Sequence, residues 1–213
     1  MQNLRFKFEG SESLVNNCSQ AGQDLFVLAA LNGKRNGVYL EVGAGPADQY
    51  NNTYILETEF GWRGVSVEFN QGYFIDHRSK RKHYIELVDG TSILYGDLLA
   101  RGNITETEID YASLDLDHSD TLVALLNLPM ETHKFATITY EHDEYIYGSK
   151  YLVPSRRYLT TMGYELVASN IMATGFGSFE DWWVHPDLVN RETIDKMKSI
   201  GEEAQEWTSY IFN

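Results

Sequence analysis

Apolar and polar positions along the chain switch repeatedly between helical and extended spacing, and the switches mark out the elements. Over residues 20–31, Leu25, Phe26, Leu28, Ala29 and Leu31 form an apolar stripe that predicts a helix. Val38-Tyr39-Leu40-Glu41-Val42 then reads as a strand, cut off by Gly43 and Gly45. A helix over 52–60 stops before Gly61, and Gly64-Val65-Ser66-Val67-Glu68 is a second strand. A weakly periodic helix over 73–81 leads to a third strand over 83–88, a helix over 93–100, and a fourth strand over 109–115 that runs into acids. A helix over 121–128 stops at Pro129. Residues 134–141 carry strand composition in Phe135, Ile138 and Tyr140. A helix over 154–162 has Pro154 near its start and Gly163 just past its end. Strands over 164–169 and 178–184 close the sheet, and residues 190–207 read as a mostly helical, polar surface element.

Strands separated by helices predict an α/β fold, a mostly parallel seven-stranded sheet with helices on both faces. No repeat, low-complexity tract or linker divides the sequence, so residues 1–213 read as a single domain with an N-terminal helical segment of about 1–36. In open sheets of this kind ligands bind beyond the carboxyl ends of the strands, near the switch in strand order. The functional residues are therefore expected at 41–45, 68–70, 88–90, 115–120 and 141–145.

Composition narrows the partners. The 213 residues are 43% hydrophobic and 13% aromatic, enough for a packed core, and the formal charge is -14. Such acidity repels nucleic-acid phosphates and anionic lipid, so neither is an expected partner. A lone cysteine, Cys18, rules out an internal disulfide and fits a reducing compartment. With no apolar signal segment at Met1–Lys7 and no apolar run near the ~18 residues of a membrane span, a cytoplasmic, non-membrane protein is expected.

The glycine turn Glu41-Val42-Gly43-Ala44-Gly45 is the first candidate site. Glycines after the first strand allow a sharp turn and close approach of a ligand. Glu68 ends the next strand, where a fixed carboxylate accepts hydrogen bonds from both hydroxyls of an adenosine ribose. This logic serves NAD and S-adenosylmethionine alike. Asp48, however, occupies the third glycine position of G-x-G-x-x-G, an unfavourable neighbour for a pyrophosphate. S-adenosylmethionine has no phosphate, and its sulfonium and ammonium tolerate Glu41 and Asp48.

Four ordered blocks then resemble the FkbM-type methyltransferase family. They are Ser19-Gln20-Ala21-Gly22-Gln23-Asp24; the turn segment from Gly37 to Ala44 with Asn52-Thr53 and Leu56-Glu57; Gly61-Trp62-Arg63-Gly64-Val65-Ser66-Val67-Glu68; and Ile109-Asp110-Tyr111-Ala112-Ser113-Leu114-Asp115. The resemblance covers about residues 19–145. It implies a Rossmann-like class I methyltransferase fold, S-adenosylmethionine as cofactor, and O-methylation of a hydroxyl on a sugar or secondary metabolite. The candidate cofactor contacts are Gln23, Glu41, Gly43, Ala44, Gly45, Asn52, Thr53, Glu68, Phe69, Asp89 and Asp115. Asp89 matches the acid that accepts the adenine amino group in related enzymes, with Asp97 as a competitor. One departure is His118, which stands where the family's D-x-E-G-x-E carries glycine and would be strained if that position needs a positive φ.

Methyl transfer needs a positioned nucleophile and help in removing its proton. Two arrangements offer this. His142 can act as a general base with Asp143 or Glu141 beside it, and Asp115 and Asp143 join it as catalytic candidates. Alternatively Asp115, Asp117, Glu141 and His142 converge on a Mg²⁺ or another divalent ion that acidifies a bound hydroxyl. Competing structural roles are helix capping for Asp117, Ser119 or Asp120, packing for Trp182 and Trp183, and solvation for Arg156 and Arg157. Trp183 or Trp182 lining a substrate pocket, and an arginine pair holding an anionic substrate, are the functional readings. The acceptor is expected to be a small molecule. The two rival functions are an NAD-dependent oxidoreductase and a catalytically silent cofactor- or partner-binding module.

Overall fold

The computed structural model describes residues 3–173, 175, 177–201 and 205–213, with the side chain of residue 118 outside that description. In chain order the elements are α1 (Gln23–Ala30), β1 (Val38–Val42), α2 (Tyr54–Phe60), β2 (Arg63–Glu68), α3 (Gln71–Lys80), β3 (Tyr84–Leu87), a single 3-10 turn (Gly90–Ser92), α4 (Tyr95–Arg101), β4 (Glu108–Leu114), α5 (His118–Asn127), β5 (Lys134–Glu141), α6 (Glu144–Tyr147), α7 (Ser149–Thr161), β6 (Glu165–Met172), β7 (Ser178–Val184), α8 (Arg191–Lys198), β8 (Gln205–Glu206) and α9 (Trp207–Ile211).

The strands form one sheet in the order β3-β2-β1-β4-β5-β7-β6-β8. Strands β1 to β5 run parallel, and β7 is inserted antiparallel between β5 and β6. The order reverses between β1 and β4, so the switch point lies over Gly43 and Asp115, each the first residue past its strand. Among the described residues eight strands stand where seven were expected, because the two-residue β8 pairs with β6 inside a stretch read as mostly helical. The same stretch is broken into α8 and α9.

Alternation along each strand builds a core on either face. Val38, Leu40 and Val42 of β1 pack with Leu98, Leu125 and Leu159 of α4, α5 and α7. Tyr39 faces the other way, among Phe26, Leu56, Ile194 and Tyr210 of α1, α2, α8 and α9. The adjacent tryptophans of β7 divide the same way, Trp182 to one core and Trp183 to the other, and both are buried. Neither lines a substrate pocket.

The helix expected over 20–31 is present as α1, but the rest of the described N-terminal segment, 3–22 and 31–36, is not helical; Phe6, Phe8 and Leu14 reach the core from extended or turn backbone, and Leu4 bridges Phe212. The left-handed Gly22 (φ 76°) sets the start of α1, and the Trp207 ring lies 2.6 Å from where its Cβ would be. The helix containing Pro154 begins earlier than the proline implied, because Gly148 (φ 58°) restarts the chain at Ser149.

Candidate active site

Two adjoining cavities open at the carboxyl ends of the strands. The first, about 520 Å³, is lined by the glycine turn, Asn52, Glu68, Phe69, Asp89 and Asp115, together with Gln20 and Tyr50. The second, about 260 Å³, is lined by Asp115, Asp117, Glu141, Asp143, Tyr145, Tyr147 and Phe179. Gln20, Asp115 and Asp117 belong to both, so the two form one cleft. A larger hollow of about 750 Å³ lies at the opposite edge, around Lys34, Glu108 and Asp110 at the amino end of β4. It holds no predicted site residue, and the strand-end rule favours the smaller cleft.

The glycine turn is fixed by close approach. Gly43 adopts φ 83°, and a Cβ there would sit 1.7 Å from the Asp115 carbonyl oxygen, so the first residues beyond β1 and β4 touch backbone to backbone. Gly45 (φ 58°) donates its N–H to Glu68 Oε2 at 2.8 Å. Glu68 Oε1 accepts from Asn70 N at 2.6 Å. The carboxylate lines the cavity, and the Phe69 N–H is a further backbone donor beside it. Burial raises the Glu68 pKa above its ordinary value, while the backbone donors hold it down. Asn70 caps α3 by accepting from Gly72 N and Tyr73 N, and between the two, Phe69 stands exposed at the rim. Asp89 caps the 3-10 turn through Thr91 and also borders the cavity; Asp97 does not.

Deeper in, Glu41 is buried and accepts from Thr53 Oγ1 (2.9 Å) and Ser66 Oγ (2.7 Å). Asn52 donates to Ser113 Oγ at 2.9 Å, which leaves its buried Oδ1 without a protein donor. Thr53 is fully buried behind them and does not reach the cavity wall. Helix α2 starts only at Tyr54, nine residues past Gly45. Asp48 pairs with Lys80.

Gln23 is displaced from its expected role. It donates to Glu180 and accepts from Ala21 N, outside the cleft, while Gln20 of the same block lines both cavities. Asp24 ties the block down: it accepts from Cys18 N, Ser19 N and Ser19 Oγ.

The acids of the second cavity are set by register. Leu114 of β4 pairs with Tyr140 of β5, so Asp115 falls beside Glu141, and Glu141 pairs with Glu180 of β7. Asp115 and Glu141 are hydrogen-bonded to each other. Burial and the neighbouring charge drive Glu141 far above the carboxylate range, and burial lifts Asp115 to about 6. The pair therefore holds one proton near neutrality. Burial raises Glu180 to about 8, against bonds from Gln23 and Trp182. Asp117 and Asp143 both have positive φ, 62° and 50°. The left-handed backbone falls on Asp117 rather than His118, which opens α5 in helical conformation. Asp117, Glu141 and Asp143 bring one oxygen each within 4.8 Å of one another.

His142 does not face this cleft, which removes it as general base and as metal ligand. Its Nδ1 accepts from Glu144 N at 3.1 Å, and its Nε2 lies 3.4 Å from Asp181 Oδ1 on the far side of the sheet. It is fully buried there. Arg156 serves the same internal acid, with both guanidinium arms on Asp181 at 2.7 and 2.8 Å, so it is not free to hold an anionic substrate.

Sequence reasoning missed the network beneath the turn. Arg81 is buried and donates to Glu57, Ala47 O, Asn51, Tyr39 and Thr53. Asn51 in turn donates to Ala44 O. Its signal was available: two histidines, His77 and His83, flanking Arg78 and Arg81 within a polar stretch whose helical periodicity was weak.

No family model matches the chain, and no curated protein matches it. Among solved structures it is similar to an inferred rRNA methylase from Clostridium thermocellum, at 11% identity and TM-score 0.50, covering 80% of this chain and 99% of that one. It is also similar to an inferred hemolysin from Streptococcus thermophilus, at 13% identity and TM-score 0.52, covering 87% and 74%. At such identities the likeness establishes architecture: this chain has the Rossmann-like α/β fold of the class I methyltransferases.

Proposed function

We propose that this chain is an S-adenosylmethionine-dependent methyltransferase acting on a hydroxyl of a small acceptor, with the whole chain working as one methyltransferase-like domain. The observation that carries the reading is the Gly45–Glu68 contact at the switch point: a carboxylate held by backbone N–H groups in the wall of a cavity of about 520 Å³. The donor set fits the cofactor. Glu68 would receive the ribose hydroxyls, Phe69 and Asp89 would border the adenine, and the orphaned Asn52 Oδ1 would accept from the ammonium. When bound, S-adenosylmethionine supplies a methyl carbon activated by a sulfonium. Asp48 in the third glycine position argues against the pyrophosphate of NAD.

The second cavity supplies the acceptor side. Asp115, with Glu141 keeping the pair's proton, is a carboxylate poised near neutrality, suited to draw a proton from an alcohol held by Asp117 and Asp143. Tyr145 and Tyr147 line the same cavity, as polyol and sugar sites require: acids for hydroxyls, rings for C–H faces. The resemblance to FkbM-type enzymes supports the same O-methylation. Asp117, Glu141 and Asp143 form an oxygen set compatible with a divalent ion. The charge of -14 and the acids of the cleft favour a small neutral acceptor over nucleic acid.

Calorimetry with S-adenosylhomocysteine tests the reading directly. Saturable micromolar binding is expected, with none of NAD. No heat at millimolar S-adenosylhomocysteine, or stabilisation by NAD alone, would overturn it.

A further inference from the structure

Beneath the glycine turn, His77 of α3 and His83 just before β3 stand with ring nitrogens 3.3 Å apart, His77 Nδ1 facing His83 Nε2. Their outer nitrogens are committed. His83 Nδ1 lies 3.2 Å from Glu57 Oε2, and His77 Nε2 lies 3.1 Å from the Gly45 carbonyl oxygen. Both of those partners are acceptors. Glu57 also takes hydrogen bonds from Arg81 Nε and Lys82 N, and these with His83 hold it ionised, far below the ordinary carboxylate range. A carbonyl oxygen cannot donate at all.

Counting protons gives a definite result. His83 must donate from Nδ1 to Glu57, and His77 must donate from Nε2 to Gly45. Two neutral imidazoles have one N–H each, and both are now used. The facing pair, His77 Nδ1 and His83 Nε2, is then two lone pairs pointed at each other across 3.3 Å in a buried site. A cation, either a metal ion or one extra proton, resolves that opposition.

We propose that His77 Nδ1, His83 Nε2 and a Glu41 carboxylate oxygen form a binding site for one divalent zinc-like ion. One ligand atom from each of the three residues lies within 4.8 Å of the others, and all three residues are buried. With metal–nitrogen bonds of about 2.0–2.1 Å, a tetrahedral angle separates two nitrogens by about 3.3 Å, which matches the spacing found. The outer shell is also that of a metal site. Ligating histidines hand their second N–H to a carboxylate or a backbone carbonyl, here Glu57 and Gly45. The nearby Glu41 carboxylate, a third donor, favours a metal over a proton, which needs only the two nitrogens. The ion ties β1, α3 and the start of β3 together under the turn, and its ligand group is distinct from that of Asp117, Glu141 and Asp143, although Glu41 also borders the larger cavity. The facing histidine nitrogens that carry the proposal do not depend on the methyltransferase reading.

The test is a metal titration of the whole chain after chelator treatment, using Zn²⁺ and Co²⁺ alone. One tightly held equivalent is expected, with the visible absorption of tetrahedral Co²⁺ that Zn²⁺ abolishes. Glu57→Gln should weaken it about 10–100-fold. His83→Gln should lose it, whereas Asp117→Asn should keep it. The wild-type Co²⁺ spectrum decides even where a histidine variant fails to fold. No bound equivalent, a weakly absorbing octahedral spectrum, or unchanged affinity in folded His83→Gln overturns the proposal, and the first of these leaves a shared proton as the cation.

Discussion

Replacing Glu68 by glutamine keeps the side chain's volume and removes its charge, and the structure indicates what that does. The carboxylate spends one lone pair of each oxygen on Gly45 N (2.8 Å) and Asn70 N (2.6 Å). In Glu68→Gln one of those backbone donors must face an NH₂ group, so a donor meets a donor. The oxygens left for a ribose diol fall from two charged to one neutral. A hydrogen bond to a charged group contributes roughly 1.5–3 kcal/mol against about 1 for a neutral one. Losing one and weakening the other costs about 2–4 kcal/mol of binding, or roughly 30- to 1,000-fold in Kd. Titration calorimetry with S-adenosylhomocysteine reads this directly. Glu106→Gln, whose carboxylate pairs with Arg63 at the surface, is the charge-matched control and should leave Kd unchanged. Acid should erode wild-type affinity earlier than an ordinary glutamate would, since burial raises the Glu68 pKa. A folded Glu68→Gln chain that binds within threefold of wild type would refute the assignment of Glu68 to the ribose.

Three other outcomes follow from the same geometry. Gly43→Ala puts a methyl group 1.7 Å from a backbone oxygen at φ 83°, so it should destabilise by at least ~3 kcal/mol in urea unfolding, whereas Gly45→Ala, with nothing within 4 Å, should cost only about 1–2. Methyl transfer should rise with pH as Asp115 ionises near 6, and Asp143→Asn, by removing a like charge, should move that limb to lower pH in a pH–kcat/KM profile. Glu180 is raised to about 8, so its proton stabilises the fold fully below the unfolded value near 4.5 and this is lost as pH climbs to about 8, at about 1.4 kcal/mol per pH unit; Glu180→Gln should flatten that slope in denaturation curves across the window.

The sheet was legible because its strands carry their own punctuation. Residues 134–141 and 178–184 are strands with the bounds their composition marks. The glycine turn and Glu68 were legible because glycine and a strand-end acid leave unambiguous marks. His142 went astray for a reason the sequence also contained. Neighbours on a strand point to opposite faces, so Glu141 and His142 cannot both enter one cleft. That alternation continues across the ladder, with Glu180 on the Glu141 side and Asp181 toward His142. Gln20 was hidden behind Gln23 because the backbone of residues 19–22 is irregular and no periodicity orients it. The Arg81 network was hidden for a different reason. Its partners, Tyr39, Asn51, Thr53 and Glu57, lie 24 or more residues away and meet only in the folded chain.

The antiparallel β7 bears on how the molecule assembles. β6 and β7 are joined by residues 173–177 alone, whereas every other ladder joins strands separated by at least one helix. A hairpin of this kind closes within microseconds, long before crossovers bring distant strands together. β6–β7 is thus the most local ladder of the sheet, and the β5–β7 ladder closes a longer loop. The β5–β7 ladder is what sets Glu180 beside Glu141, so uptake of the Glu180 proton at neutral pH is tied to closing that ladder.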